Sequence, residues 1–460
     1  MLSLVMSNNF LQLFFGWEAV GVMSYLLIGF WYTKESAIKA NLKAFIVNRV
    51  GDLSLILGIG IIFSITGSLD YYAVFSKSEE IAQTELLLTS TLTVSALTAA
   101  CILLFGGAMG KSAQMPLHVW LPDSMEGPTP ISALIHAATM VTAGVFLLAR
   151  MSPLFELSTT ALSFVLIIGA TTALFTGILG LIQNDIKRVV AYSTLSQLGY
   201  MVAAAGVSAY SASLFHLMTH AFFKALLFLA AGSVIVALHH EQDIRKMGGL
   251  KNKLPITYVT SLIGSLALIG FPGFSGFFSK DALIEAIGHA DIIGSGFAYA
   301  SVLIGVFITA LYTFRLFFKV FHGALDEDHH DVKESPLSIT LPLVLLAIPS
   351  VIIAWPTVGP MVFGSYFTTA ISQPDAYQIF GYEFTSAYGF LIHAFSSPVI
   401  YIALFGVATA YILYIQKPSI LHDETYKSTF IYRLLDNKYY FDDLYENVFA
   451  KQARNIGDLL

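Results

Sequence analysis

Long apolar runs dominate this sequence and limit its possible folds more than any other feature. A helix of about 20 residues spans the hydrocarbon core of a bilayer, and eight runs reach that length. They fall near residues 10–31, 43–66, 161–182, 189–208, 212–237, 295–321, 337–355 and 389–415. Charged residues make up 12% of the chain, against about 25% in a soluble domain. The sequence therefore predicts an all-α polytopic membrane protein.

Two further apolar segments, 86–122 and 255–291, are too long for one regular crossing and carry Gly, Pro and Lys near the middle. We expect each of them to be a broken helix that crosses the membrane once. The run 129–151 follows the first broken segment. It predicts a clean, uninterrupted helix.

Lys and Arg are divided unequally between the predicted loops. Threading the crossings in order places one group of loops, rich in these residues, on a single side: 32–42, 183–188, 238–254, 322–336 and 416–460. The opposite loops hold only Lys77 and, at a helix end, Arg150. By the positive-inside rule the first group faces the cytoplasm or matrix.

This topology predicts an internal repeat. The first broken segment runs from outside to inside and the second from inside to outside. Each follows a pair of helices that contain polar residues and precedes another helix. The offset is five crossings, an odd number, so the sequence predicts two inverted five-helix repeats. Inverted repeats with discontinuous helices are typical of ion and solute transporters.

Ionisable residues recur inside the predicted membrane segments, where a central charge costs roughly 2.5–3.5 kcal/mol on insertion scales. Lys111 stands just before a break made by Pro116 and Pro122, and Lys280 follows a Gly- and Pro-rich break. Because a buried lysine can give up its proton, both residues are candidates to hold and pass protons. The complete set of candidate site residues is Glu18, Asp52, Lys111, His136, His216, His220, Lys224 and Lys280.

His216, His220 and Lys224 advance by four residues twice, so they share one narrow face of a helix. Histidine titrates near neutral pH, and the spacing therefore favours a proton relay. Metal binding by the histidine pair is the competing interpretation, although the motif holds no third ligand. The acidic loop 326–334 also suggests a metal site, but a solvated loop is favoured.

Other candidate residues have two interpretations. Glu18 either orients helices through an ion pair or loads and releases a proton, and His136 is either a core histidine or a relay. Asp52 lies three residues after Arg49 on one helix face. It either neutralises that arginine or reaches a lysine across the bundle. Asp281 is a candidate counter-charge for its neighbour Lys280.

Bound cofactors and nucleic acid are not expected. A single cysteine, Cys101, excludes an internal disulfide, a thiolate zinc site and a cysteine-held iron–sulfur cluster. The glycines before Lys280 follow no predicted strand, which disfavours dinucleotide binding. The net charge of -6 argues against nucleic acid. We expect no cofactor in this chain.

Several stretches together resemble the antiporter-like subunits of respiratory complex I, almost from end to end. They are GWEAVGVMSYLLIGFWY, NRVGD, GKSAQMPLHVWLPDSMEGPTPISALIHAATMVTAGVFLLAR, DIKRVVAYSTLSQLGYM, FHLMTHAFFKALLFLAAGSVI, FFSKDALI and LYTFRLFF. The closing NKYYFDDLYENVF is similar to the distal type, chain L or mitochondrial subunit 5. The large subunit of multisubunit Na+/H+ antiporters shares the same fold and core motifs and is the alternative.

The resemblance implies a proton-pumping subunit driven by NADH:quinone oxidoreduction elsewhere in the complex. It implies a hetero-oligomer with other membrane-arm subunits, in the inner cell membrane of a bacterium or the mitochondrial inner membrane. Glu18 and Lys111 match the family's carboxylate–lysine pair, Asp52 a modulating acid and His136 a central link. His216, His220 and Lys224 match the part of the family's proton path that leads from the centre to the exit. Lys280 matches the terminal lysine of the second half-channel.

The resemblance also implies a division of the chain. Residues 1–151 would form a first half that lacks its N-terminal part, and 152–321 a second, inverted half. Residues 322–415 would add transmembrane helices, and 416–460 would begin a lateral helix along the inner face. The family's first three or four helices and the helix that anchors the lateral helix are missing from the sequence. We therefore expect a fragment or a shortened gene product.

Overall fold

The computed structural model describes residues 1–89, 92–323, 331–418 and 429–459. These residues are almost entirely helical. Strands β1 (Glu85–Thr89) and β2 (Leu92–Ser95) pair as a small antiparallel hairpin.

Local side-chain bonds define the helices of the first half. The Asn9 side chain accepts a hydrogen bond from the Gln12 backbone N–H and begins α2, and Gly67, at φ 67°, ends α3 in the left-handed conformation. The helices are α1 Leu2–Val5, α2 Phe10–Ile28, α3 Glu35–Thr66, α4 Tyr71–Phe75, α5 Ser78–Gln83, α6 Ala96–Lys111, α7 Trp120–Asp123, α8 Thr129–Ala137, α9 Ala143–Arg150 and α10 Ser152–Phe155.

In the second half, two long helices pack closely because glycines face the neighbouring backbone. A Cβ at Gly169 would lie 2.4 Å from the backbone N of Ala203, and one at Gly199 would lie 2.4 Å from that of Ala173. Small residues permit such close helix contacts in membranes. The helices are α11 Thr159–Ile182, α12 Ile186–Gly206, α13 Tyr210–Ala237, α14 Pro255–Ile269, α15 Ser275–His289 and α16 Ser295–Phe321.

The C-terminal region contains shorter and bent helices. Helix α17 and its continuation over residues 354–363 meet at an angle of 44°. The helices are α17 Leu337–Ile352, α18 Ala354–Val358, α19 Ala376–Phe380, α20 Ala387–Ala394, α21 Pro398–Tyr411, α22 Phe430–Asp436, α23 Phe441–Leu444 and α24 Lys451–Leu459.

The predicted fold class is confirmed. Within the described ranges, 7 helices are long and apolar enough to cross a membrane, or 8 if the bent pair that begins with α17 is one span. A broken helix occurs at both predicted places. Residues 112–119 separate α6 from α7, and residues 270–274 separate α14 from α15.

Loops that the sequence assigns to the same side of the membrane lie together. At one end, Asp185 and Asp243 form an isolated antiparallel bridge, which joins 183–188 to 238–254. At the other end, the Ser372 backbone N–H donates to Ser152 Oγ at 2.8 Å and joins residue 152 to the long loop 356–388. The grouping of loops by side therefore agrees with the folded chain.

Three sequence predictions need correction. The start of the predicted broken segment 86–122 is not helical, since Glu85–Thr89 and Leu92–Ser95 are strands and α6 begins only at Ala96. The helix predicted over 129–151 is interrupted between Ala137 and Ala143. The run 389–415 is divided before Pro398, which begins α21.

Two other predicted features are covered only in part. Of the acidic loop 326–334, residues 326–330 lie outside the described residues. In the tail, residues 429–459 form a kinked helical segment in which Lys438, Tyr439 and Tyr440 have positive φ. That this segment begins a lateral helix stays a prediction.

Candidate functional site

A buried ion cluster occupies the first half where α2, α3 and α6 meet. Lys111, in the last turn of α6, is fully buried, and its Nζ lies 3.2 Å from Asp52 Oδ1. Asp52 is also bonded by the Trp17 indole N–H at 2.8 Å. Arg49 lies 3.7 Å from Asp52 and forms an ion pair with Glu18. The four ionisable groups therefore form one chain of contacts, from Glu18 through Arg49 and Asp52 to Lys111.

The position of the lysine depends on a glycine of α2. A Cβ at Gly21 would lie 2.8 Å from Lys111 Nζ, which is closer than ordinary contact. The absence of a side chain there leaves room for the amine next to Asp52.

The interruption between α8 and α9 exposes backbone carbonyls that polar side chains bond. Thr142 Oγ1 donates to the carbonyls of Thr139 at 2.7 Å and Ala138 at 3.1 Å. Ser112, which follows Lys111, donates to the Val141 carbonyl at 2.7 Å. Broken membrane helices are stable only where their freed backbone groups are bonded in this way. The residues that flank the end of α6 and the start of α9 therefore stabilise the break.

Two histidines approach this break from different helices. His136 Nε2 lies 2.9 Å from Ser124 Oγ, and no hydrogen bond is formed by its buried Nδ1. His220 Nδ1 lies 3.1 Å from the Ala137 carbonyl, at the end of α8, and its Nε2 also forms no hydrogen bond. Each histidine therefore has one occupied and one free ring nitrogen at the centre of the molecule.

The predicted stripe on α13 is present and leads to the second broken helix. The His216 and His220 ring centroids are 6.2 Å apart. His216 Nδ1 lies 2.8 Å from Ser279 Oγ on α15, and its Nε2 lies 3.2 Å from Gln197 Oε1 on α12. Lys224, one turn after His220 on α13, donates to the Ser193 hydroxyl.

Lys280 directly follows Ser279 on α15. It is buried, its Nζ forms no hydrogen bond with any of the described residues, and it lies 5.2 Å from the centroid of the Tyr200 ring. Within the part of the chain that the structure describes, no carboxylate forms an ion pair with Lys280 or Lys224. An uncompensated ammonium group is costly in such a site. An amine at this position is suited to accept a proton and to return it.

The structure answers two questions that the sequence left open. Asp52 contacts both the arginine on its own helix and the lysine across the bundle. Asp281 does not form an ion pair with Lys280, because both of its carboxylate oxygens are buried without a hydrogen-bond partner among the residues that the structure describes. Glu18 contacts Arg49 rather than Lys111.

Sequence reasoning missed the groups between the ionisable residues. Ser124, Ser193, Gln197 and Ser279 each contact one of the predicted side chains. Small polar residues are common in membrane helices, so their sequence gave no signal. Their positions become informative only once the helices are packed. Among the described residues, no group of three or more His, Cys, Asp or Glu side chains is arranged to hold a metal ion.

The cluster, the central break and the stripe together provide a row of titratable and hydroxyl groups through an apolar protein. Side chains of this kind, buried in a membrane bundle, mark proton and ion pathways. Such a row can pass protons between neighbours and can change the charge of one group when another moves.

Comparisons with known proteins agree on one family. The family model described as NADH:quinone oxidoreductase/Mrp antiporter, TM, matches residues 7–311. The NADH-quinone oxidoreductase subunit L of Neisseria meningitidis serogroup A is 56% identical and covers 99% of this chain, which spans 71% of that protein. The subunit L of Rickettsia bellii is 49% identical over 98% of this chain and 70% of its own length.

A solved structure shows the same fold. The Mrp complex from a Dietzia species has a chain that aligns with 99% of this one at a TM-score of 0.77 and 24% identity. This chain spans about half of it, 47%. The family match and the two close relatives show that the chain belongs to the NADH:quinone oxidoreductase/Mrp antiporter transmembrane family.

Proposed function

We propose that this chain translocates protons as a membrane subunit of NADH:quinone oxidoreductase, with the redox chemistry carried out elsewhere in the complex. The observation that carries the proposal is Lys111, fully buried at the end of a broken helix and in contact with Asp52 at 3.2 Å. No structural need of the fold calls for a lysine there, since a buried ion pair is weak evidence for stability. The pair is instead suited to gain and lose a proton.

The cluster offers a way to control that proton by charge. When Arg49 contacts Asp52 it competes with Lys111 for the same carboxylate, and Glu18 holds Arg49 on the other side. A shift of Arg49 towards Glu18 leaves Asp52 to stabilise a charged Lys111, and a shift back releases the proton. In a buried site such changes in pairing act strongly because screening by water is weak.

From the cluster, the proposed path follows His136 and His220 at the central break, then His216, Lys224 and Lys280 in the second half. Each of these residues has a ring nitrogen or an amine that can take part in proton transfer. No cofactor is needed in the chain itself. The partners would be other membrane-arm subunits, and the location the inner membrane of a bacterium or a mitochondrion.

The antiporter function of the Mrp relative is the second candidate, since its chain shares the fold. The relatives that are about half identical are quinone oxidoreductase subunits, whereas the Mrp chain is 24% identical. This difference favours the oxidoreductase. Purification of the chain with NADH dehydrogenase activity would separate the two candidates.

The proposal predicts that replacing Lys111 uncouples pumping from electron transfer. Lys111→Ala in the intact complex should lower proton pumping by about tenfold or more, as expected when a proton-transfer group is lost. Lys111→Arg should lower it as well, because a guanidinium group does not deprotonate in a protein. The measurement is the ratio of proton uptake into vesicles to the amount of NADH oxidised.

Lys39→Ala is the matched control. Lys39 lies on the first turns of α3 with a largely exposed side chain, paired only with Glu35 four residues earlier. Its loss should leave pumping unchanged. Wild-type pumping in the Lys111→Arg complex would show that Lys111 does not carry protons.

A further inference from the structure

A second acidic pair lies on α15, beyond Lys280. Asp281 and Glu285 are four residues apart and therefore lie on the same face, one turn from each other. Asp281 is buried, and both of its carboxylate oxygens lack a hydrogen-bond partner. A buried carboxylate without a partner is costly when it is ionised, so Asp281 is suited to take up a proton.

Glu285 connects this pair to the surface. Its Oε2 accepts a hydrogen bond from the Tyr382 hydroxyl at 2.6 Å, and its Oε1 lies 3.3 Å from His393 Nδ1. Both partners belong to the region around the loop 356–388, which the positive-inside rule assigns to the outside. The Tyr382 and His393 rings also contact each other, with centroids 5.0 Å apart.

Solvent exposure rises along this series. Lys280 and Asp281 are each 2% exposed, the Glu285 side chain is 10% exposed, and the His393 side chain is 51% exposed. Glu285 is thus the boundary between the buried groups and the outer surface. A proton that has reached Lys280 lies five residues, or about one and a half turns of α15, from a carboxylate that contacts surface residues.

We propose that Glu285 releases protons to the outer side, with Tyr382 and His393 as positioning residues that hold its carboxylate. The inference rests on the proposed function and assigns the exit of the same path. In the first step an N–H bond of the Lys280 ammonium breaks and an O–H bond forms on Asp281, through water between them. The proton then passes to Glu285, which restores the Asp281 carboxylate.

In the last step the O–H bond of Glu285 breaks and outer water takes the proton. Lys280 is left as a neutral amine and Glu285 as a carboxylate, ready for the next proton. No electron moves, and the net change is one proton carried outward. The titratable groups that face Glu285 are Asp281 and His289 on its own helix, and Tyr382 and His393 from the outer region.

The competing role for Glu285 is purely structural, because its two contacts also tie the outer region to α15. Glu285→Gln separates the roles. The amide keeps the shape of the side chain and an oxygen that can accept from Tyr382, but it cannot hold the proton. Tyr382→Phe does the reverse, since it removes the hydrogen bond and leaves the carboxylate. Glu383→Gln makes the same chemical change at an exposed neighbour in the outer loop.

The test is proton pumping by the intact complex in vesicles, together with assembly on native gels. We expect Glu285→Gln to assemble and to lower pumping by about tenfold or more. Glu285→Asp, which keeps the acid, should restore part of that loss. Tyr382→Phe should lower pumping by at most about twofold, because the carboxyl group that holds the proton remains in place. Glu383→Gln should pump like the wild type.

Wild-type pumping in Glu285→Gln would overturn the release site. So would failure of that variant to assemble, or an equal loss of pumping in Tyr382→Phe, since both outcomes indicate an anchor. Normal pumping by Lys111→Ala would instead remove the proposed function. Loss of pumping in Lys111→Ala with normal pumping in Glu285→Gln would remove only the exit assigned to Glu285.

Discussion

At the level of single residues, the buried charges are placed by close contacts that leave little freedom. Lys111 touches Asp52, lies 6.0 Å from the Trp17 ring centroid, and has the bare backbone of Gly21 beside its amine. Glycine at this position is explained by space rather than by backbone conformation, because it lies inside the regular helix α2.

Gly21→Ala should therefore disturb the site without removing any charged group. The added methyl would lie 2.8 Å from Lys111 Nζ, so the amine must shift from its present position beside Asp52. We expect pumping to fall by about tenfold, the effect of losing a positioned proton carrier, with electron transfer uncoupled. Proton uptake per NADH oxidised measures this effect.

Gly60→Ala is the control for that change. Gly60 lies inside α3, and a Cβ there meets nothing within 4 Å. Alanine is the better helix former by about 1 kcal/mol, so this variant should assemble and pump like the wild type. Equal pumping in the two variants would mean that the space beside Lys111 is not needed.

Seven of the eight predicted site residues are buried and Glu18 is partly buried, but the sequence did not predict how these residues pair, and it missed the buried His118 and Lys187. A charge inside an apolar run is visible in the letters, and all eight predicted site residues lie inside or at the ends of the membrane helices. Whether Asp52 meets Arg49, Lys111 or both depends on the rotation of α3 against α2 and α6. That rotation is set by contacts such as the 2.8 Å bond from Trp17, between residues 35 positions apart.

At the level of the helices, the interruption between α8 and α9 is the feature that the sequence did not reveal. The breaks after α6 and α14 carry Pro116 and Gly270, residues that commonly end helices. Residues 138–142 contain neither Gly nor Pro. The cause lies elsewhere in the chain, since His220 and Ser112 bond the carbonyls of Ala137 and Val141.

Thr142→Val should weaken this break. Valine keeps the shape of threonine but removes the hydroxyl that donates to the Ala138 carbonyl. The Thr139 carbonyl loses the same hydroxyl but keeps its bond from the Thr142 backbone N–H. The loss of a hydrogen bond of this kind costs about 0.5–1.5 kcal/mol. We expect a lower melting temperature of the assembled complex. The measurement is the temperature at which the chain is released from the complex on heating.

Thr171→Val provides the comparison, because the Thr171 hydroxyl bonds the Ile167 carbonyl within the regular helix α11. That carbonyl keeps its helical bond when the hydroxyl is lost, so the melting temperature should change little. If the two valine variants have the same melting temperature, the hydroxyl of Thr142 does not support the break.

At the level of the whole molecule, the C-terminal segment 429–459 packs against the end of the first half that the sequence assigns to the inside. Lys43 Nζ lies between two carboxylates, 2.7 Å from Asp123 and 2.6 Å from Asp442. The Tyr445 hydroxyl donates to the Pro116 carbonyl at 3.0 Å. The segment therefore contacts the same break that follows Lys111.

These charges keep the segment docked at neutral pH. Partial burial raises the pKa of the Asp442 carboxyl, but the neighbouring Lys43 and Lys438 ammonium groups lower it by more, so the pKa lies below its usual range. A carboxyl with a lowered pKa stabilises the folded state above its ordinary pKa and loses that effect as pH falls through the lowered value. The contact is thus expected to weaken only in acid.

The orientation of the chain in the membrane yields the last prediction. Asp375 is exposed in the lysine- and arginine-free loop, and Lys251 is exposed at the opposite, basic end. The one native cysteine, Cys101, is buried and provides an unreactive background. In sealed vesicles of known sidedness, an impermeant thiol reagent should label Asp375→Cys only from the outer face and Lys251→Cys only from the inner face. The parent chain should remain unlabelled from both faces.

Labelling of both variants from one face would place the two ends of the bundle on the same side. The broken helices would then not run in opposite directions, and the proton path from Lys111 to Glu285 would no longer lead across the membrane.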